Sequence, residues 1–174
     1  MLELRHFNEL RASGTRVRGY AAVFDTPTDL GEFREVVRKG AFRQSLESAN
    51  IRALYDHDSK ALLGTTQAGT LILREDERGL AFELDLPNTS HGNDVAELIK
   101  RGDIAGCSFG FRTKKDNWVS GPKFTRELLD VELAEITLTA NPAYPQTSVA
   151  LRSLDSMVKQ SGCLDLQKLW IQTL

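Results

Sequence analysis

Many short strand-like runs with two helical segments set among them predict an α+β fold that is mainly β. The pattern suits a compact barrel or sandwich rather than a doubly wound parallel sheet. Three observations carry this. Leu80, Phe82, Leu84 and Leu86 alternate with Ala81, Glu83 and Asp85, as in a strand with one buried face. Glycine, proline and Asx residues interrupt the apolar runs at short intervals. Before residue 153, apolar residues recur at helical spacing in only two places, near 40–49 and 93–102.

Taken in order, residues 1–13 read as an opening strand with Leu2 and Leu4 on one face, and Gly14 turns the chain. Val17, Tyr20, Val23 and Phe24 suit a strand over 16–24. Thr26, Pro27, Thr28, Asp29 and Gly31 make a loop before a short strand over 33–37. Phe42, Leu46 and Ala49 share a helical face. The strand-like run 51–55 leads straight into Asp56, His57 and Asp58. Strands follow over 62–67, 70–75 and 79–86, with turns at Gly69 and 76–79. Asn93 or Asp94 is expected to cap a helix carrying Val95, Leu98 and Ile99, with Gly102 as its stop. A strand over 104–111 follows, then a polar turn over 116–122 holding Trp118. A long strand over 123–139, bent or split near 128–130, ends at Asn141, Pro142, Ala143, Tyr144 and Pro145. No internal repeat is present. From Ser153 the character changes, and Leu166, Leu169 and Trp170 fall at helical spacing. The chain is therefore divided into a domain over 1–152 and a helical tail over 153–174, expected to dock on the core or on a partner.

The 174 residues suit one domain with a real core. A charge of −2 implies no general affinity for nucleic acid. No apolar run approaches the ~18 residues that cross a bilayer. The charged N-terminus lacks the apolar core of a secretory signal. Cys107 and Cys163 form no cluster, and His6, His57 and His91 lie far apart, so neither a disulfide framework nor a structural metal is expected. These features point to a cytoplasmic protein that works without metal or cofactor.

The chemistry centres on Gly106, Ser108 and Gly110. On a strand these three share a face, while Cys107, Phe109 and Phe111 point to the core. Small neighbours let a substrate backbone approach the hydroxyl. By itself the motif also fits a glycine-bearing strand with an incidental serine. A serine needs a base, and the base needs an orienter. His57, at the end of an apolar strand, suits the first role; a surface turn histidine is the plainer account. His6 and His91 read as structural or solvated. Asp130, Glu132 and Glu135 are the candidate orienters, and periodicity does not choose among them. Cys107 would be the stronger nucleophile, yet its core-side placement favours a small buried hydrophobe.

Several blocks in order carry a resemblance: Gly19-Tyr-Ala-Ala-Val-Phe; Glu35-Val-Val-Arg-Lys-Gly-Ala-Phe; Leu54-Tyr-Asp-His-Asp; Lys100-Arg-Gly-Asp-Ile-Ala-Gly-Cys-Ser-Phe-Gly-Phe; and Val131-Glu-Leu-Ala-Glu-Ile-Thr-Leu-Thr-Ala-Asn-Pro-Ala-Tyr. Together they resemble the tailed-phage prohead proteases of HK97 type over about residues 1–152. Those proteases are similar to herpesvirus assemblins. The resemblance implies a closed β-barrel with a few surrounding helices, a serine nucleophile at Ser108, a base at His57 and an acid at Glu135. Glu132 stays open as the alternative acid. Assemblins use a second histidine as third member; no histidine follows Ser108 here, so a carboxylate must serve. Cys107 stands where the family often has serine or methionine. The implied activity is that of a serine endopeptidase acting on scaffolding protein, or the scaffold segment of the major capsid protein, and on itself. It would act in the bacterial host cytoplasm inside the assembling procapsid, as a homodimer in one version of the reading. The contrasting expectations are a non-catalytic capsid-assembly or peptide-binding barrel, and a hydrolase built on Cys107. The loop at 141–144 is the expected source of oxyanion donors.

Overall fold

The computed structural model describes residues 2–140 apart from 8, 9 and 14. The tail over 153–174 and the loop at 141–144 lie outside the described residues. The elements in chain order are β1 (Glu3–Phe7), β2 (Leu10–Ser13), β3 (Arg16–Val23), β4 (Thr28–Asp29), β5 (Arg34–Val37), α1 (Arg43–Ser48), β6 (Arg52–Tyr55), β7 (Asp58–Thr65), β8 (Leu71–Glu75), β9 (Gly79–Asp85), α2 (Ser90–Arg101), β10 (Gly106–Val119) and β11 (Thr125–Thr139).

The fold is mainly β with two helices, but the closed barrel is not formed. The described strands make a 7-stranded sheet and a separate 4-stranded sheet ordered β2-β3-β9-β8. The long β10–β11 hairpin explains the lack of closure. One edge of β11 pairs with β10. Its other edge is shared by two parallel strands, β5 beside Thr125–Leu128 and β6 beside Glu135–Leu138. The sheet therefore forks. Among the described residues its outer strands β1, β4 and β7 each pair with one neighbour, and no ladder joins the two sheets.

One core lies between the sheets. β9 sends Leu80, Phe82 and Leu84 inward as alternation requires. They belong to the same apolar cluster as Val17 of β3, Phe109 and Phe111 of β10, and Ile136 and Leu138 of β11. Phe109 stacks on Phe111 at 5.2 Å and meets Phe42 edge-on at 5.4 Å.

Local chemistry moves some expected boundaries. The helix expected to start at Asn93 or Asp94 starts at Ser90, because the Thr89 side chain accepts from the Gly92 N–H and caps it. Gly102, with φ of 85°, ends it as expected. The opening strand is two strands, β1 and β2, belonging to different sheets. Trp118 lies on β10 rather than in a turn; its ring meets Phe33 at 5.1 Å, in a second small cluster with Leu30 and Phe124. The bend expected near 128–130 appears as register shifts where Lys115 and Asp116 face Asp130 and Leu128.

Candidate active site

Three neighbouring strands bring polar side chains to one level. On β10, Ser108 lies opposite His6 of β1 on one side and Thr137 of β11 on the other. Residues directly opposite in antiparallel strands project to the same face. His6, Ser108 and Thr137 therefore form a row, and Leu4, Gly110 and Glu135 form the next. Cys107, Phe109 and Phe111 face the core, as the alternation of the serine strand predicts.

The second row shows what Gly110 does. A Cβ at that position would lie 2.9 Å from Cγ of Glu135 and 3.1 Å from Cδ2 of Leu4. The missing side chain makes the space into which Glu135 folds.

A β-bulge turns Glu135 toward this face. Gly110 and Phe111 are adjacent, yet they pair with Glu135 and Leu133, so Ala134 is an extra residue. Strict alternation groups Glu135 with Leu133; the bulge places them on opposite faces. Leu133 enters the core, and the Glu135 carboxylate meets His57 Nδ1 at 3.1 Å and Arg52 Nη2 at 3.2 Å. Buried carboxylates need such partners. Glu132 points elsewhere, to Arg112 at 2.8 Å and Lys114 at 2.7 Å, and these cations, Lys114 foremost, hold its carboxyl below the usual range. Asp130 faces Lys115 in register. Of the three expected carboxylates, Glu135 is the one hydrogen-bonded to His57.

His57 occupies a two-residue hairpin turn. Tyr55 pairs with Asp58 around it, and Asp56 and His57 both have positive φ, 51° and 59°. Two left-handed residues match the twist of flanking strands in tight hairpins, at about 1 kcal/mol or more for each non-glycine residue. The turn is fastened to the end of β11. Asp56 N–H donates to the Leu138 carbonyl at 3.0 Å, and Thr139 Oγ1 donates to Asp56 Oδ1 at 2.7 Å. Asp58 accepts from the Lys60 N–H. The imidazole Nδ1 is on Glu135, and among the described residues its Nε2 is buried without a hydrogen-bond partner. With Nδ1–H donating to a carboxylate, Nε2 presents its lone pair, as a general base must.

Ser108 is completely buried, and its Oγ lies 3.2 Å from His6 Nδ1. The expected hydrogen bond between His57 and Ser108 is not made in this structure. The residue-level reading of His6 as structural or solvated misses this contact. The pattern that puts Leu2 and Leu4 on one face puts His6 there too, but nothing local reveals that this strand pairs with the serine strand. Thr137 Oγ1 is likewise buried without a partner among the described residues, and the residue pattern does not single it out. Cys107 lies in the core, and burial disfavours its thiolate, pushing the thiol up to about 12 despite a hydrogen bond with the Thr137 backbone. No group of three or more metal-binding side chains occurs among the described residues.

Residues 2–160 match the family described as caudovirus prohead serine protease. A prohead protease of Enterobacteria phage HK97 is 28% identical over 145 residues, covering 80% of this chain. The match spans 61% of that relative's own length. Among solved structures, the capsid assembly protease of bacteriophage T4 superposes with a TM-score of 0.56 at 8% identity, over 79% of this chain and 96% of that one. At that identity the likeness concerns the fold.

Proposed function

The chain belongs to the caudovirus prohead serine protease family, and from that premise we propose that it is a serine endopeptidase of procapsid maturation. Ser108 is the nucleophile, His57 the general base and Glu135 the residue that orients the base. The observation that carries this reading is the His57 ring, with Nδ1 on a buried carboxylate at 3.1 Å and Nε2 buried and unpartnered. An orphan ring nitrogen in a buried polar site is costly unless it has work to do.

In the reaction, Ser108 Oγ attacks a peptide carbonyl carbon while its proton passes to His57 Nε2. Glu135 stabilises the imidazolium that forms. The carbonyl π electrons move to the oxygen, which backbone N–H groups receive. The tetrahedral intermediate collapses as His57 returns the proton to the leaving amine. Water then hydrolyses the acyl-enzyme by the same steps. The hydroxyl is fully buried, so the reaction requires Ser108 to be uncovered before a carbonyl can reach it. The substrates are the scaffolding protein or scaffold segment of the major capsid protein, and the protease itself, inside the procapsid in the host cytoplasm.

Co-expression with the cognate capsid and scaffolding proteins tests this. Ser108→Ala and His57→Ala fold and leave the scaffold uncut on a gel, whereas the unaltered chain processes it. Full processing by either variant would remove the assignment. A non-catalytic assembly module of the same fold is the second reading, favoured by the missing His57–Ser108 hydrogen bond. On that reading the unaltered chain cleaves nothing, and Ser108→Ala supports assembly equally well.

A further inference from the structure

We propose that His6 is a further catalytic residue, whose Nδ1–H donates a hydrogen bond to Ser108 Oγ and so directs the serine proton toward His57. The proposal rests on Ser108 and His57 acting as nucleophile and base. A serine hydroxyl carries one proton and two lone pairs. Two bases competing for one proton would gain nothing. A donor on one lone pair and a base on the proton leave the second lone pair free to attack. The geometry supplies both parts: His6 Nδ1 at 3.2 Å from Oγ, and the unpartnered His57 Nε2 held by Glu135.

The strand that carries His6 is held firmly enough to aim it. Glu3 and Arg5 alternate with Leu4 and His6, so they point to the opposite face. There Arg5 grips Glu35 of β5 at 2.5 Å, and Glu3 meets Arg126 of β11 at 2.7 Å, with all four side chains buried. These anchors on one face fix the register that sets His6 opposite Ser108 on the other. As the proton leaves for His57, a donor already in place steadies the electron density left on Oγ until the new C–O bond takes it up; the lasting negative charge forms on the carbonyl oxygen. His6 takes no proton in this scheme; it passes from hydroxyl partner to ester-oxygen partner as the C–O bond forms.

The test uses two substitutions of similar shape. In His6→Asn the side-chain amide N–H can stand where Nδ1 stood; in His6→Leu no donor is present. Diisopropyl fluorophosphate reacts with an activated serine, and mass spectrometry reports the labelled residue and the rate. The expected result is labelling of Ser108 in the unaltered chain, a rate within about threefold of it in His6→Asn, and a loss of about tenfold or more in His6→Leu. Thermal unfolding is followed for each variant. Equal rates in His6→Leu and the unaltered chain overturn the proposal. Equal loss in both variants also overturns it, because His6 would then be a base or a packing residue. Failure of both to fold makes His6 structural and overturns it too. An unaltered chain that neither labels at Ser108 nor cleaves the scaffold instead removes the nucleophile assignment on which the proposal depends.

Discussion

Glu135 is buried and faces Arg52 and His57; as the proposed orienting residue, its value to the site would lie in fixing which nitrogen of His57 is protonated. Glu135→Gln keeps the shape but can present an N–H to Nδ1, favouring the wrong tautomer. Substitutions of this kind lower turnover by about 10⁴ with geometry intact. Glu132→Gln, on a carboxylate engaged with Arg112 and Lys114 at the surface, leaves turnover unchanged. Scaffold cleavage by the two variants, followed side by side, checks both; a greater loss in Glu132→Gln would transfer the role. Thr137 gives a contrasting case. Its buried hydroxyl makes no hydrogen bond, and an unsatisfied buried polar group costs about 1–3 kcal/mol. Thr137→Val removes the hydroxyl at nearly constant shape, so chemical unfolding should show a gain of about 1 kcal/mol. A loss of stability would mean that the hydroxyl has a partner in solution.

Gly110 of β10 ties the packing of the strand to Glu135, the proposed orienting residue. Adding a methyl group there forces Glu135 or the strand to move, since the new Cβ would sit 2.9 Å from Glu135 Cγ. Gly110→Ala should cost about 1–3 kcal/mol of stability. It should also cost about 100-fold in turnover, because small displacements of an orienting group are expensive. Unfolding and cleavage measured on one preparation test the pair; normal turnover would separate Gly110 from the site. The same strand shows how far a residue pattern reaches. Alternation correctly put Ser108 on the face opposite Cys107 and Phe109, which lie in the core, because period-2 geometry is local; the open approach to the hydroxyl expected there is absent, since Ser108 is fully buried. Alternation failed at Glu135, because the bulge at Ala134 depends on how two strands pair. The start of α2 was misplaced for a different reason: the Thr89 cap that begins it lies before the apolar residues that mark it. The His6–Ser108 contact is not legible in the sequence because it exists only once β1 pairs with β10. For the same reason the forked sheet, which rests on β11 sharing one edge between β5 and β6, was not legible from strand-like runs alone.

At the scale of the whole molecule, the buried ions that hold β1 are expected to make the proposed site dependent on pH. Glu3, Arg5, Glu35 and Arg126 are all buried, and Asp116 and Thr113 of β10 extend the network. It ties β1 to β5, β10 and β11, three strands that converge on the core face behind the serine row. Burial alone would raise the Glu3 carboxyl. The Arg126 and Thr113 hydrogen bonds and the charges of Arg126 and Arg5 outweigh it and hold Glu3 below its ordinary range. A carboxyl with a lowered folded value contributes stability that is fully present at neutral pH. That stability is lost as the pH falls below the ordinary value of about 4.3 and through the lowered folded one. Removing one partner from a buried ion cluster typically costs about 3–5 kcal/mol, since it leaves the opposite charge uncompensated. Glu3→Gln should therefore unfold at lower urea at pH 7, by about 3 kcal/mol. Between pH 5 and 3 it should lose less further stability than the unaltered chain, because one of the titrating groups is gone. Loosening of β1 should also slow labelling of Ser108, as His6 travels with the strand. Urea unfolding of both proteins across that range is the measurement. Parallel acid limbs would show that Glu3 does not carry the linkage, and unchanged labelling would show that β1 keeps its register without it.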